Sequence, residues 1–597
     1  MGMAVVADTL ALDGMPLMPV LMPVSKPVPK PDTETANSTN AAIWFAVDGF
    51  DPVAKGINGR RVAGESFLRG FFRHGAVDQF VSIAHSSQDH AGFAAMAAAA
   101  GVTLPLRSVP LHLAGQLAPV DVIYYPSPID PRECWRRAPY GGAAWALCGI
   151  THTTATRAVM NAVFDIRSAP QMPWDALICT STAVQASLRT LMELAEAHLG
   201  QRFPGAVLPA RPLLPVIPLG VHTDDFQPDR AAGQGLRDRL GVAPADIVVS
   251  CIARLTPDEK FDPFPLFLAL EAAAPALGPK GGRFHLALCG QFRDPAWAAA
   301  FATGAARLMP SVGYHLLDGG NAAERKATLS GSDIFVFPID NLQETFGLAP
   351  IEAMAAGLPV IVSDWDGMKD TVTADVGIRV PTEIPRAGEV THLSLRHLGG
   401  TDSYLQYLGQ MSTMTRIDVG ALTRALVTLG TDAPLRARMG AAGRARAMAL
   451  YDWRVVIPQM QALWGEQAAM LAHARGKGGP LVARADGGRL PTGPAPDRMF
   501  ASYPSLPAPD LALRRLRAVA IGTRPDIVET FALRRYEASR RLIETTERLQ
   551  AVLVTYAEAG DAGATLAEAV TACGIPRPVV ARATLWLLKY HFLEESP

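Results

Sequence analysis

Two glutamates, Glu344 and Glu352, and two cations, Arg254 and Lys260, stand where this sequence could do chemistry. The stretch "SDIFVFPIDNLQETFGLAPIEAMAAGLPVIVSDWDG" reads as strand, loop, helix, strand. Residues 333–338 form an apolar run suited to a buried strand, and Glu344 opens the loop after it. Gly347 lets a backbone approach a ligand closely. Pro350 suits the first turn of a helix reaching Ala356, Gly357 ends that helix, and 358–363 is the next strand. The amides of Thr345, Phe346, Gly347 and Leu348 then point outward at a helix N-terminus, an anion site suited to a diphosphate. Glu344 falls at the C-terminal end of a strand, where open α/β sheets bind ligands. Glu352 is expected in the first helical turn, so both carboxylates can face one crevice. The plainer alternative makes Glu352 a complement to the helix dipole and Glu344 a solvated loop residue.

The second element is "VVSCIARLTPDEKFDPF", with Arg254 at a strand end and Lys260 six residues later. An arginine fork and a lysine point charge together suit a leaving diphosphate. The alternative is solvated pairing with Asp258, Glu259 and Asp262, which contributes about 0–1 kcal/mol per pair.

Such residues need sheets to hold them. The chain has 597 residues, 49% hydrophobic and 19% charged, enough apolar material for several cores and too much for global disorder. A formal net charge of -1 argues against a dedicated nucleic-acid binder. Six cysteines without C-x-x-C spacing read as buried free thiols. Residues 1–40 are rich in Met and Pro, lack a basic start, and read as a disordered leader rather than a signal peptide. Order is expected from Ala41. Strand candidates "AAIWFAV", "QFVSIAH", "DVIYYPS", "WALCGITHT", "DALICTS" and "VIPLGV" alternate with helical text, and "DIVVSCIARL", "FHLALCG", "YHLLDG", "DIFVFPI" and "LPVIVSD" repeat the pattern. This alternation predicts an α/β fold of two Rossmann-like domains, 41–220 and 221–474, each with a parallel sheet covered on both faces. A helix around "YDWRVVIPQMQALWGEQAAM" is expected to close the second domain. Residues 475–508 have linker composition. Residues 509–597 read as an all-α domain. Its "TLAEAVTACGIPRPVVARATLWLLKYHFLE" suggests helix, turn at Gly574, helix, as in a winged helix, with "DLALRRLRAVAIG" and "FALRRYEASRRLIETTERLQAVLVTYAEAG" as amphipathic segments. Acidic residues are mixed among its arginines, which favours docking or oligomerisation through these helices over DNA binding.

The block "QETFGLAPIEAMAAGLPVIVSDWDG" resembles the signature of the retaining glycosyltransferases of family 4, the group 1 glycosyl transferases. The resemblance covers residues 210–460 well and reaches back to Ala41. It implies the GT-B fold, two Rossmann-like domains facing a cleft, and transfer of a hexosyl group from a nucleoside-diphosphate sugar to an acceptor hydroxyl with retention. By this resemblance Glu344 bonds donor-sugar hydroxyls and Glu352 bonds the ribose. The amides from Phe346 to Leu348 cradle phosphates, and Arg254 and Lys260 stabilise the leaving diphosphate. The Arg-Leu…Lys spacer is one residue longer than the common form, and Phe261 stands where Gly is usual. Gly59, in the loop "GINGRRVAGES", matches the family's close backbone approach to the donor. His152, in "CGITHTT", falls where the family often has a His facing the donor sugar. His222 stands where the pattern more often has Asp and is given no role.

The resemblance implies no cofactor and no bound metal. Asp364-Trp365-Asp366 spells D-x-D, a metal-binding signature in other glycosyltransferases; here both aspartates are taken as loop residues. Partners implied are a nucleotide sugar and a glycan, lipid or protein acceptor, with bacterial envelope or exopolysaccharide assembly as the family's default setting. No run of residues is long and apolar enough to span a bilayer, so a cytoplasmic protein that meets a membrane only peripherally is expected. A nicotinamide oxidoreductase would need G-x-G-x-x-G after a first strand, which is absent. A phosphorylase, an epimerase and a non-catalytic sugar-nucleotide-binding scaffold stay open; release of free nucleoside diphosphate separates a transferase from them.

Overall fold

The computed structural model describes residues 39–50, 59–278, 281–505, 510–536 and 543–597. The expected leader, apart from Thr39 and Asn40, lies outside them. The chain divides into two compact units, 1–487 and 488–597, with the division inside the Gly- and Pro-rich stretch.

The first unit holds two six-stranded sheets. One comprises β1 (Ala42–Trp44), β2 (Phe80–Ala84), β3 (Leu106–Pro110), β4 (Val122–Tyr124), β5 (Ala146–Ile150) and β6 (Ala176–Ile178), in the order β3-β2-β1-β4-β5-β6. The other comprises β7 (Ile247–Arg254), β8 (Phe284–Gln291), β9 (Gly313–Asp318), β10 (Ile334–Phe337), β11 (Val360–Ser363) and β12 (Gly377–Val380), in the order β12-β11-β10-β7-β8-β9. All their pairings are parallel. Each reads 3-2-1-4-5-6 from one edge, the Rossmann order, so the expected pair of Rossmann-like domains of a GT-B protein is present. Central strands are apolar on both faces because helices cover both sides: β2, β5, β10 and β11 are buried throughout.

Four further helices matter for the site: α1 (Gly59–His74), α2 (Thr182–Arg202), α3 (Leu348–Ala355) and α4 (Tyr404–Met414). The helix expected to close the second domain, α5 (Trp453–Lys477), instead packs on the first sheet, which corrects that reading. Its Gln467 donates to the carbonyls of Leu147 and Trp174, Arg475 to that of Ala143, and the Trp453 indole to Ser66 Oγ at 2.8 Å. The polypeptide crosses between the sheets twice, side by side. The Val221 amide donates to Tyr451 O at 2.7 Å and the Trp453 amide to Val221 O at 3.2 Å. Apolar periodicity shows that α5 has a buried face but not which sheet covers it. "VIPLGV" is not a strand of either sheet; it runs beside β6 through isolated pairings such as Cys179 with Val216. All six cysteines are free thiols, five of them buried.

The second unit has its own core around Leu516, Leu549, Tyr556, Val580 and Leu587. Its helices α6 (Thr546–Glu558), α7 (Leu566–Cys573) and α8 (Arg577–Lys589) include the expected helix–turn–helix, with Gly574 left-handed at φ 65°. The unit also carries a small antiparallel sheet, β15 (Arg515–Ala518) between β16 (Ala564–Thr565) and β17 (Leu593–Glu595). In the first unit, β13 (Thr382–Glu383) pairs antiparallel with β14 (Arg416–Ile417) as a separate two-stranded sheet. "DLALRRLRAVAIG" is thus a short 3-10 turn at Leu511–Leu513 followed by strand β15 rather than an amphipathic helix, because Leu516 is needed in the core and its arginine neighbours can reach carboxylates. Arg514 pairs with Glu595, Arg515 with Glu568, and Arg517 with Asp561 and Glu594. Glu544 likewise binds both Arg548 and Arg582.

Candidate functional site

In the second sheet, β7 and β10 are neighbours whose onward connections leave in opposite directions, and this switch point opens a crevice at their C-terminal ends. Arg254 is the last residue of β7, and Lys260 and Glu344 follow in the loops after β7 and β10. Gly347 caps α3 with φ 82°. A Cβ there would lie 2.8 Å from Met368 Sδ, so both the left-handed backbone and the space call for glycine. Gly367 is equally tight, since a Cβ there would lie 2.5 Å from Phe346 Cα, and it lets the loop after β11 press onto the Glu344 loop.

Lys260 reaches across 84 residues of sequence to form an ion pair with Glu344 Oε2. Phe261, in place of the usual glycine, is fully buried and anchors the loop. The Lys260 ammonium also sits 5.2 Å from the centre of the Phe337 ring. Glu344 Oε1 accepts from the Gly347 amide at 3.0 Å and the Phe346 amide at 3.5 Å. Burial opposes the charge of Glu344, but Lys260 and these amides outweigh it and hold the carboxyl below its ordinary range. The expected phosphate cradle is corrected to this extent: two of its amides are bonded to the protein's own carboxylate. Thr345 also does something else. Its hydroxyl donates to His152 O at 2.8 Å, and its carbonyl accepts from Thr180 Oγ1 at 3.3 Å, so it joins the two domains.

Arg254 pairs with Glu259 at 2.5 Å, and Glu259 also binds Arg293. This buried carboxylate is shared between two cations, leaving the cluster net positive beside the crevice. Tyr404, at the start of α4, lies against the same pair. Behind it, α4 packs on the β7 loop, with Gly409 against Asp258 and Ser412 donating to Asp340 at 2.8 Å.

Glu352 lies in the second turn of α3 rather than the first, since the helix starts at Leu348. Burial pushes its carboxyl up to about 7, against the opposing pull of Arg325. Asp340 and Asp366 are likewise pushed up to about 7, both by burial first, with Glu344 adding to the effect on Asp366. His152 follows β5 and contacts Pro126 O through Nε2 at 2.9 Å. Gly59 is the first residue of α1, and the loop before it lies outside the described residues. The structure therefore brings Lys260, Glu344, Thr345, Phe346, Gly347 and the backbone of His152 together; Arg254 is paired with Glu259 instead, and Glu352 lies in α3 under the influence of Arg325.

Sequence reasoning passed over Asp340 and gave Asp366 no role. It also missed Asp370 with Thr182, and Ser181 with Asp366, which meet across the domains. The one signal available was position: Asp340, Asp366 and Thr180 all follow strand ends. His222, given no role, donates from Nε2 to Ser66 O at 3.1 Å, and burial lowers its pKa to about 4.

The family model described as glycosyl transferases group 1 matches residues 237–387, the span holding β7 to β12 and the crevice. The matched span contains Arg254, Lys260, Glu344 and Glu352. Among relatives, a phosphatidyl-myo-inositol mannosyltransferase of Mycobacterium leprae is 32% identical over 143 residues, 24% of this chain and 29% of the relative. A GDP-mannose-dependent monoacylated alpha-(1-6)-phosphatidylinositol monomannoside mannosyltransferase of Corynebacterium glutamicum is 25% identical over 262 residues, 41% of this chain and 55% of the relative. This chain thus matches between about a third and about half of those relatives' lengths. Among solved structures, Anabaena HepE in complex with UDP overlays with a TM-score of 0.45 at 16% identity, over 72% of this chain and 99% of that one. No helix among the described residues is long and apolar enough to cross a membrane.

Proposed function

We propose that this chain transfers a hexosyl group from a nucleoside-diphosphate sugar to an acceptor hydroxyl, with retention of anomeric configuration. The observation that carries the reading is the Lys260–Glu344 pair, held with the Gly347 amide at the switch point of a group 1 domain. A pyrophosphate is the natural competitor for the groups Glu344 now engages, one ammonium and the loop amides. As phosphate takes them, the Glu344 carboxylate is released to accept hydrogen bonds from sugar hydroxyls. Lys260 and the net charge of the Arg254–Glu259–Arg293 cluster then stabilise negative charge growing on the leaving diphosphate. Fixed cations and peptide dipoles suffice for this role, so turnover is proposed to need no metal and no other cofactor. An ionised Glu352 receives the ribose hydroxyls, while His152 and Gly59 line the first-domain side.

GDP-mannose is the first donor to test and a phosphatidylinositol-type lipid the first acceptor, because named relatives use them. The protein would meet such a lipid peripherally. The test is a screen of purified protein against GDP-, UDP- and ADP-sugars, scored by release of free nucleoside diphosphate and by anomeric NMR of the product. Release of nucleoside diphosphate that depends on Glu344, with a retained product, is the expected result. Thermal stabilisation without any release would mark a binding scaffold instead.

A further inference from the structure

The D-x-D after β11 separates into two unlike residues. Asp364 meets Arg379 of β12 at 3.3 Å, with both side chains 40% exposed. Asp366 turns toward the first domain. Its backbone is left-handed at φ 42°, a conformation a β-carbon resists, so the side chain is held in place by its surroundings. Its Oδ1 accepts the Ser181 hydroxyl at 3.0 Å. Ser181 is the N-cap of α2, and the same Oγ accepts the Val184 amide at 3.1 Å. Four residues on, Asp370 accepts both the amide and the hydroxyl of Thr182, each at 2.7 Å. Two carboxylates of the second sheet thus hold the N-terminus of a 21-residue helix of the first, the end whose dipole favours negative charge. Asp366 Oδ2 is buried without a partner.

We propose that Asp366 is a positioning residue of the transfer site: through Ser181 it clasps the two domains together, and through its nearness to Glu344 it ties that closure to the sugar-facing carboxylate. The inference rests on the reading of Glu344 given above. The charged groups acting on Asp366 are Glu344, from the loop after β10, and Asp370, from its own segment; both oppose its ionisation. Lys260 is already bonded to Glu344, and α2 presents Ser181 and its first-turn amides. With its second oxygen unpartnered and Glu344 close by, Asp366 in the clasp favours the protonated form, its carboxyl being pushed up to about 7 by burial. Opening exposes it to water and restores an ordinary acidity. Protonation therefore supports closure: the support is complete below the ordinary aspartate range and is lost as pH rises through about 7.

The test is double electron–electron resonance on the full chain, with nitroxides at Gln201→Cys and Arg438→Cys in a Cys573→Ser background, at pH 6 and pH 8.5 without sugar nucleotide. The expected result is a wild-type distance distribution that shifts toward longer separations at the higher pH. Asp366→Asn, which keeps the acceptor for Ser181 and cannot ionise, should stay closed at both. Ser181→Ala breaks the clasp from the other side without touching the strained loop, and should open at both. With donor, Ser181→Ala should raise KM about tenfold while changing kcat less, and Asp366→Asn should flatten the pH profile of KM. Identical pH responses in the wild type and Asp366→Asn, or a Ser181→Ala variant that stays as closed as the wild type, overturn the proposal. Because the distances need no donor, a protein that turns over no sugar nucleotide sinks the transferase reading and leaves the clasp to be judged by the distances alone.

Discussion

The two Rossmann-like sheets share one strand order and use their charges at opposite ends. In the first sheet the deepest charges lie before the strands begin. Arg137 and Asp175 are fully buried and joined by two bonds of 2.5 and 2.8 Å. Asp175 also accepts the amides of Leu147 and Met172 at 3.0 and 2.8 Å. In the second sheet Arg254 ends β7 and Lys260 and Glu344 lie beyond the strand ends, all part-exposed, each in a pairing that a ligand could replace. A buried ion pair with every lone pair engaged resists exchange and holds the fold; a part-exposed pair at a switch point can trade its partner for a substrate. The same topology therefore supports either role, and the end of the strand decides which.

That contrast predicts different kinds of damage. Asp175→Asn should lower stability by about 3–5 kcal/mol, since it leaves Arg137 buried and uncompensated, while nucleotide affinity per folded molecule is unchanged; denaturant melts with isothermal titration check it. Lys260→Ala and Glu344→Ala should do the reverse, cutting kcat/KM for the donor by about 10²–10³-fold with little loss of stability. If Glu344→Ala leaves turnover intact, the site assignment falls. Gly347→Ala should cost about 1–2 kcal/mol through its left-handed backbone and should also weaken donor binding, because the loop must shift away from Met368.

A smaller effect separates the acids by pH. The Glu352 carboxyl is raised to about 7, so its ionisation works against the folded state. Stability from its neutral form is complete below the ordinary glutamate range and is lost as pH rises through about 7. Glu352→Gln should therefore melt like the wild type at pH 5 and about 2 °C higher at pH 8.5, yet bind donor more weakly at the higher pH. The smallest expected effect is that of EDTA on transfer, which should be none. Loss of activity on chelation, restored by a divalent cation, would return Asp364 and Asp366 to the centre of the chemistry.

Much of this contrast was legible in the chain as text. Strands buried on both faces declare themselves by apolar runs, and β1, β2, β4 to β8, β10 and β11 are legible that way; β9, a part-exposed edge strand, is legible from its "YHLLD" text. The two sheet strands that escaped, β3 and β12, are both edge strands. "LRSVP" and "GIRV" interrupt their apolar residues with exposed or polar positions, so no apolar run marks them. β15 escaped for a related reason: a single buried leucine, Leu516, between arginines looks like one face of a helix.

Sequence alone determined the repeated strand–helix alternation, the Gly347 turn and the set of groups able to meet a diphosphate, because these depend on neighbours a few residues away. Only the tertiary structure decided which of those groups meet. The Lys260–Glu344 pair spans 84 residues and the Ser181–Asp366 bond 185. The return of α5 to the first sheet is of the same kind. Each depends on how separate layers close on one another, and local propensity carries no record of which buried face finds which partner.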